Sequence, residues 1–172
     1  NAVVGVARSG NAIGGGDWGL NRLIPDFYRA LKMGETLVLR SPDALRPWQH
    51  VLEPLWGYLI LGTKLLKGKG IGPWNFGPAM SLSVKEVIAL MSGGPKPDIE
   101  LLDNPQKENM ELRLDCRRTT ACLKWSNKLT TKEAIQLTVN AYVDLKDPSC
   151  NATSLLQKQI VVYGEKWLAK AS

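Results

Sequence analysis

The stretch Ser9 to Gly19 reads SGNAIGGGDWG and follows a Val-rich run, AVVGVAR. Gly14, Gly16 and Gly19 spell G-x-G-x-x-G, and the amphipathic segment LNRLIPDFYRALKMG comes next. That order of elements is the one a dinucleotide-binding turn shows. The local chemistry argues otherwise. A pyrophosphate turn needs its first glycine directly after the strand, so that the phosphates meet a helix N-terminus. Here Arg8 to Ile13 intervene, Asp17 puts a negative charge where phosphates would sit, and Trp18 fills the space. Pro25 lies inside the expected helix, past the first turn where it is easily tolerated. In favour of a cofactor turn stands only Asp43, at ribose-contact distance near the end of the next strand. No G-K-[ST] follows, so a P-loop is excluded.

Hydrophobic spacing sets the remaining elements. AVVGVAR is a continuous apolar run, which predicts a strand buried on both faces of a parallel sheet. Leu20, Leu23, Ile24, Phe27, Ala30 and Leu31 keep helical spacing up to Gly34, a stop signal. ETLVLRS reads as a short strand, and PDALRPWQHV as a loop entering a strand or turn. EPLWGYLILGTKLLKGKG is a helix with Pro54 in its first turn, apolar nearly all round and so expected to be buried. GPWNFGP is a strand between turns. Ser83-x-x-Glu86 and Thr130-x-x-Glu133 are capping-box patterns opening two further helices. IELLDNPQKENMELRLDC holds two strand-like pieces, RRTTACLKW a short helix, and SLLQKQIVVYGEKWLAK a last amphipathic helix. The chain is mixed α/β.

The 172 residues suffice for one domain with a core. No apolar run is long enough for a membrane span. Cys116, Cys122 and Cys150 lack C-x-x-C spacing and His50 is the single histidine, so a Cys/His metal site is not expected. The sparse cysteines fit a reducing cytoplasm, and the sequon Asn151-Ala152-Thr153 reads as chance. A net charge of +6 raises nucleic-acid binding, but lysine and arginine are scattered without interleaved aromatics, which favours a solvated surface or a pocket for an anionic small molecule. The chain starts inside a strand without an initiator Met, as a processed or partial sequence would.

The strings ARSGNAIGGGDW, RLIPD, RPWQHVLEPLWGYL and WNFGP follow one another as in extended short-chain dehydrogenases/reductases that modify nucleotide-sugars. They resemble most closely the CDP-glucose 4,6-dehydratase family, and ENMELRLDCRRTTACLKW resembles a later block of it. The resemblance covers essentially residues 1–172. It implies an α/β fold: the carboxyl-terminal part of such an enzyme, with the last sheet strand and the smaller substrate-binding domain, but without the glycine-rich Rossmann half. In the complete family enzyme, NAD takes a hydride from glucose C4, water leaves across C5 and C6, and the hydride returns to C6. The resemblance implies that NAD binding, the Tyr-x-x-x-Lys pair and the usual homodimer helices belong to the amino-terminal half, and that the partners are CDP-glucose and that half, not nucleic acid or membrane. Tyr28/Lys32 and Tyr142/Lys146 match Y-x-x-x-K literally but fall after the expected position, so no catalytic residue and no bound cofactor is expected in this chain. The glycine cluster becomes the loop at a strand's carboxyl end, facing the active-site cleft.

The resemblance also nominates substrate-binding residues. Asn11 matches an amide that bonds the nucleotide-sugar, and an amide both donates and accepts. Arg46 matches the arginine that pairs with the diphosphate, where a guanidinium fork suits two phosphate oxygens. Arg22 and Leu23 match the segment that passes over the nucleotide, and Glu108 one that helps enclose it. Arg40 approaches the phosphates on this reading. Trp48 is read as packing, His50 as a structural histidine, and Asp115 as a helix cap. Lys124 stands where the family often has Gly. The alternative reading is a non-catalytic nucleotide-binding or scaffold domain derived from the same family.

Overall fold

The computed structural model describes residues 2–102 and 109–169. The Val-rich run gives β1 (Gly5–Ser9), followed at once by β2 (Asn11–Ile13). The first helix, α1, spans Leu23–Met33 and ends on Gly34 in the left-handed conformation at φ 68°. Because α1 starts at Leu23 rather than Leu20, Pro25 falls in its first turn. Its missing N–H there is one that the helix could not have paired internally. Next come β3 (Leu37–Leu39), β4 (Leu45–Arg46), β5 (Trp48–His50) and α2 (Leu52–Leu65). Then follow β6 (Gly72–Phe76), β7 (Leu82–Ser83), α3 (Val84–Met91) and β8 (Ile99–Leu101). Three helices close the described chain: α4 (Arg117–Leu123), α5 (Thr131–Asp144) and α6 (Ala152–Leu168).

Strands pair in twos. β1 runs parallel to β6, β2 to β5, and β3 to β8, while β4 and β7 are antiparallel. The parallel pairs are joined by helical crossovers, as parallel pairing requires. Both capping boxes form: Ser83 and Glu86 exchange bonds at the start of α3, and Thr130 and Glu133 at the start of α5. The main core gathers Phe27 and Tyr28 of α1, Val87 of α3 and Ile135 and Tyr142 of α5 around Trp48. A smaller core joins Leu61, Trp74, Phe76, Leu123 and Trp125 beneath β6.

Two burial expectations do not hold. β1 is not buried on both faces: Val6 is 48% exposed, and Val4, just ahead of the strand, 62%. The strand pairs along one edge with β6 and takes α2 against it, where Leu65 lies over Gly5. A continuous apolar run cannot say how many neighbours a strand has. Likewise α2 buries Glu53, Pro54, Gly57 and Leu61, but leaves Leu59 65% exposed. No helix among the described residues is long and apolar enough to cross a membrane.

Lys124 caps α4 in the left-handed conformation, at φ 55°. There a Cβ crowds the following carbonyl, so glycine suits this turn better than lysine. Lys124→Gly is expected to raise stability by about 1 kcal/mol, read as a melting-point increase of roughly 3 °C for a chain of this size. An unchanged or lower melting point would mean that the lysine side chain offsets its own strain.

Candidate functional site

The loop 14–22, the start of α1, β3 and the β4–β5 segment enclose a cleft of about 800 Å³. It runs along β2 from Asn11 to Ile13 and on to Gly14, and meets β5 at its first residue, Trp48. Asn11, Arg22, Leu23 and Arg46 all line it, although they come from β2, the α1 N-terminus and β4. Arg40 and Trp48 line it too. Glu108 lies outside the described residues.

Each wall has a local cause. Asn11 is half-buried because β2 pairs with β5, and its N–H donates to Pro47 O at 2.9 Å. Arg46 sits in β4, where Nη1 donates to Leu45 O at 3.0 Å and to Asn109 O at 2.8 Å. That ties the segment after the undescribed residues to the cleft. Leu23 is half-buried at the helix start. Trp48 is buried, and its indole donates to Leu82 O at 3.0 Å, so it packs the cleft floor from the core side. Arg40 Nη2 reaches across to Asn21 Oδ1 at 3.2 Å.

Arg22 pairs with Asp17 at 2.8 Å, and Arg29 with Asp26. Arg40 meets the Asn21 amide oxygen, and Arg46 meets the carbonyl oxygens of Leu45 and Asn109. Burial raises the Asp17 carboxyl, but the Gly19 N–H and the Arg22 guanidinium outweigh it and hold Asp17 below the usual range. Arg22, Arg29, Arg40 and Arg46 all line the cleft, and guanidinium groups suit phosphate oxygens.

The glycine cluster is spent on packing. A Cβ at Gly15 would overlap that of Ala141 in α5, and one at Gly14 would press on Val51. Asp17, read from sequence as a hindrance to phosphate, serves as the loop's brace, and Trp18 rests edge-on against Tyr142 with ring centroids 5.3 Å apart. Gly15 therefore lets the loop approach α5 closely. Asp43 pairs with Lys85 on the surface, outside the cleft.

His50 is 1% exposed, and its Nδ1 accepts the Leu52 N–H at 3.4 Å. Burial pushes its pKa down to about 4, so the ring is neutral at physiological pH and structural. Asp115 Oδ1 accepts the Arg117 N–H at 3.0 Å, capping α4 from just ahead of the N-cap residue, Cys116. In the literal Tyr-x-x-x-Lys pairs, Tyr28 and Tyr142 stack on each other at 4.2 Å. Lys146 stands over the Tyr28 ring, not beside the Tyr142 hydroxyl. Burial raises both tyrosine pKa values. The three cysteines are free, and among the described residues no His/Cys/Asp/Glu group could hold a metal ion.

Sequence reasoning missed Asp17, Arg29 and Tyr142 as parts of this site. Asp17 and Arg22 are five positions apart in a loop, so no periodic pattern marks their pairing. Tyr142 comes from the far end of the chain.

No family model matches the chain. Among curated proteins it is 36% identical over 132 residues to the CDP-glucose 4,6-dehydratase of Salmonella typhimurium strain LT2; the match takes in 71% of this chain and 36% of that enzyme. The chain thus spans about a third of the length of this relative. Among solved structures, MoeE5 in complex with UDP-glucose and NAD superposes with a TM-score of 0.73 at 19% identity, over 84% of this chain and 48% of that one. The dTDP-glucose 4,6-dehydratase of Bacillus anthracis strain Ames, in complex with NAD, gives 0.69 at 22% identity, over 83% and 45%. These two likenesses bear on the fold alone. By its sequence the chain is a homologue of part of the Salmonella CDP-glucose 4,6-dehydratase, and it shares its α/β fold with solved sugar-nucleotide enzymes.

Proposed function

We propose that this chain is the carboxyl-terminal, nucleotide-sugar-binding part of a CDP-glucose 4,6-dehydratase. In the complete enzyme the net reaction removes one water from CDP-glucose to give CDP-4-keto-6-deoxy-glucose. On this reading NAD serves that enzyme as its redox group and is held by the amino-terminal half. The observation that carries the reading is the convergence of Asn11, Arg22, Leu23 and Arg46 on a single arginine-lined cleft. Asn11 offers an amide to the sugar diphosphate. Arg46 and Arg22 offer N–H donors to its phosphates, and Leu23 packs against the nucleoside.

The test is a thermal melt of the purified chain with CDP and, separately, with dTDP. At CDP about a hundred times its dissociation constant, binding adds roughly 2.7 kcal/mol. That corresponds to a rise of roughly 5–10 °C for a chain of this size. A rise with CDP and none with dTDP supports a cytidine-nucleotide site; no rise with either removes the cleft from nucleotide binding. Because the resemblance places the catalytic Tyr and Lys in the amino-terminal half, the purified chain is expected to leave CDP-glucose unchanged, and product formation would overturn that part.

A further inference from the structure

The cleft wall that carries Arg22 is held by a residue distant in sequence. Tyr142 is only 2% exposed, and its hydroxyl donates to the backbone carbonyl of Asp17. The carboxylate of Asp17 then turns two ways: Oδ1 accepts the Gly19 N–H at 3.0 Å, and Oδ2 accepts Arg22 Nη1 at 2.8 Å. A continuous line of hydrogen bonds therefore runs from the α5 core to the guanidinium at the cleft. The Tyr142 ring does not need its hydroxyl to stay in place. It lies flat on Tyr28, 6° from parallel, and Trp18 meets it edge-on. Arg29 fixes the same loop from the other side, donating to Trp18 O at 2.8 Å.

Taking the cleft to be the nucleotide-sugar site proposed above, we infer that Tyr142 is a positioning residue for the nucleotide diphosphate. By fixing Asp17, it sets where Arg22 presents its guanidinium. Arg22 is exposed and would otherwise sample many rotamers. Its pairing with Asp17 removes that freedom before the ligand arrives, which is how preorganisation raises affinity. A guanidinium has five N–H donors and Asp17 engages one nitrogen, so others stay available to phosphate oxygens. The negative charge of Asp17 is met by Arg22 and does not repel the ligand.

The test measures CDP dissociation constants for the wild-type chain, Tyr142→Phe, Arg22→Ala and the double variant. Phenylalanine keeps the stacked ring and removes one hydroxyl. Tyr142→Phe is expected to weaken CDP binding about five-fold, the scale of one lost hydrogen bond. In the Arg22→Ala background the same change should have no further effect, because the group it positions is gone. An equal loss in both backgrounds would show a general structural role and overturn the inference, as would no loss in either. If the wild-type chain does not bind CDP, the nucleotide reading itself fails. The positioning claim is then decided by amide exchange at Gly19, whose N–H is bonded to Asp17. Exchange about five-fold faster in Tyr142→Phe supports it, and unchanged exchange overturns it.

Discussion

Arg46→Ala is expected to weaken CDP-sugar binding by about 1.5–3 kcal/mol, the range for a hydrogen bond to a charged group. That is a rise in dissociation constant of roughly 10- to 150-fold. The position is suited to the task. Arg46 lies in β4, held between β7 and the segment at Met110 to Leu112, so its backbone is fixed on both sides. Pro47 is buried immediately after it and stiffens the chain. Its guanidinium Nη1 is oriented by the carbonyl oxygens of Leu45 and Asn109, and the planar fork suits phosphate oxygens. Arg46→Lys keeps the charge but not the planar fork, and should recover only part of the loss. Titration calorimetry on both variants reads this directly. The alanine variant also loses the tie to Asn109, so a melt without ligand separates folding from binding. A dissociation constant unchanged in Arg46→Ala removes this arginine from the site.

What could be read from sequence was local or written in long strings. The Ser83 and Thr130 capping boxes form because each needs only four consecutive residues. Asn11 and Arg46 were legible through their surrounding strings, not through any periodicity. Errors arose where the answer depended on what packs alongside. AVVGVAR says that β1 is apolar, but not that its neighbour is β6 on one edge. The start of α1 was placed three residues early, since Leu20 keeps the helical spacing while standing exposed in the preceding loop. From sequence, Asp17 and Trp18 stood only as obstacles to a pyrophosphate turn. Their actual work, bracing Arg22 and resting on Tyr142, depends on a side chain 125 positions away. Glu53 was visible only as one letter of a family string, yet it is the group on which the packing of the last helices turns.

Glu53→Ala is expected to cost about 3–5 kcal/mol, the loss typical of removing one partner from a buried charged network, and so to abolish cooperative folding in a marginally stable chain. The carboxylate is 0% exposed in the first turn of α2. Oε1 accepts the N–H groups of Lys128 and Leu129 at 2.8 and 2.7 Å, and Oε2 accepts the Tyr163 hydroxyl at 2.7 Å. One side chain thus joins α2 to the α4–α5 connection and to α6. Alanine leaves three buried donors unpaired, and such donors carry their full desolvation cost. Glu53→Gln keeps a carbonyl for Lys128 and Leu129 and can pair its amide with Tyr163, so its loss should be near 1 kcal/mol. The pair of variants also separates charge from shape. Burial raises the Glu53 pKa above 4.5, partly offset by its hydrogen-bond donors. A carboxyl raised in the folded state binds its proton more tightly there than in the unfolded chain. Its contribution is therefore fully present below about pH 4.5 and falls as pH rises through the folded pKa. Urea unfolding across that range should show the wild type losing stability relative to Glu53→Gln, whose amide does not titrate. A gap between the two that stays constant with pH would mean that the three donors outweigh burial and keep Glu53 ionised throughout.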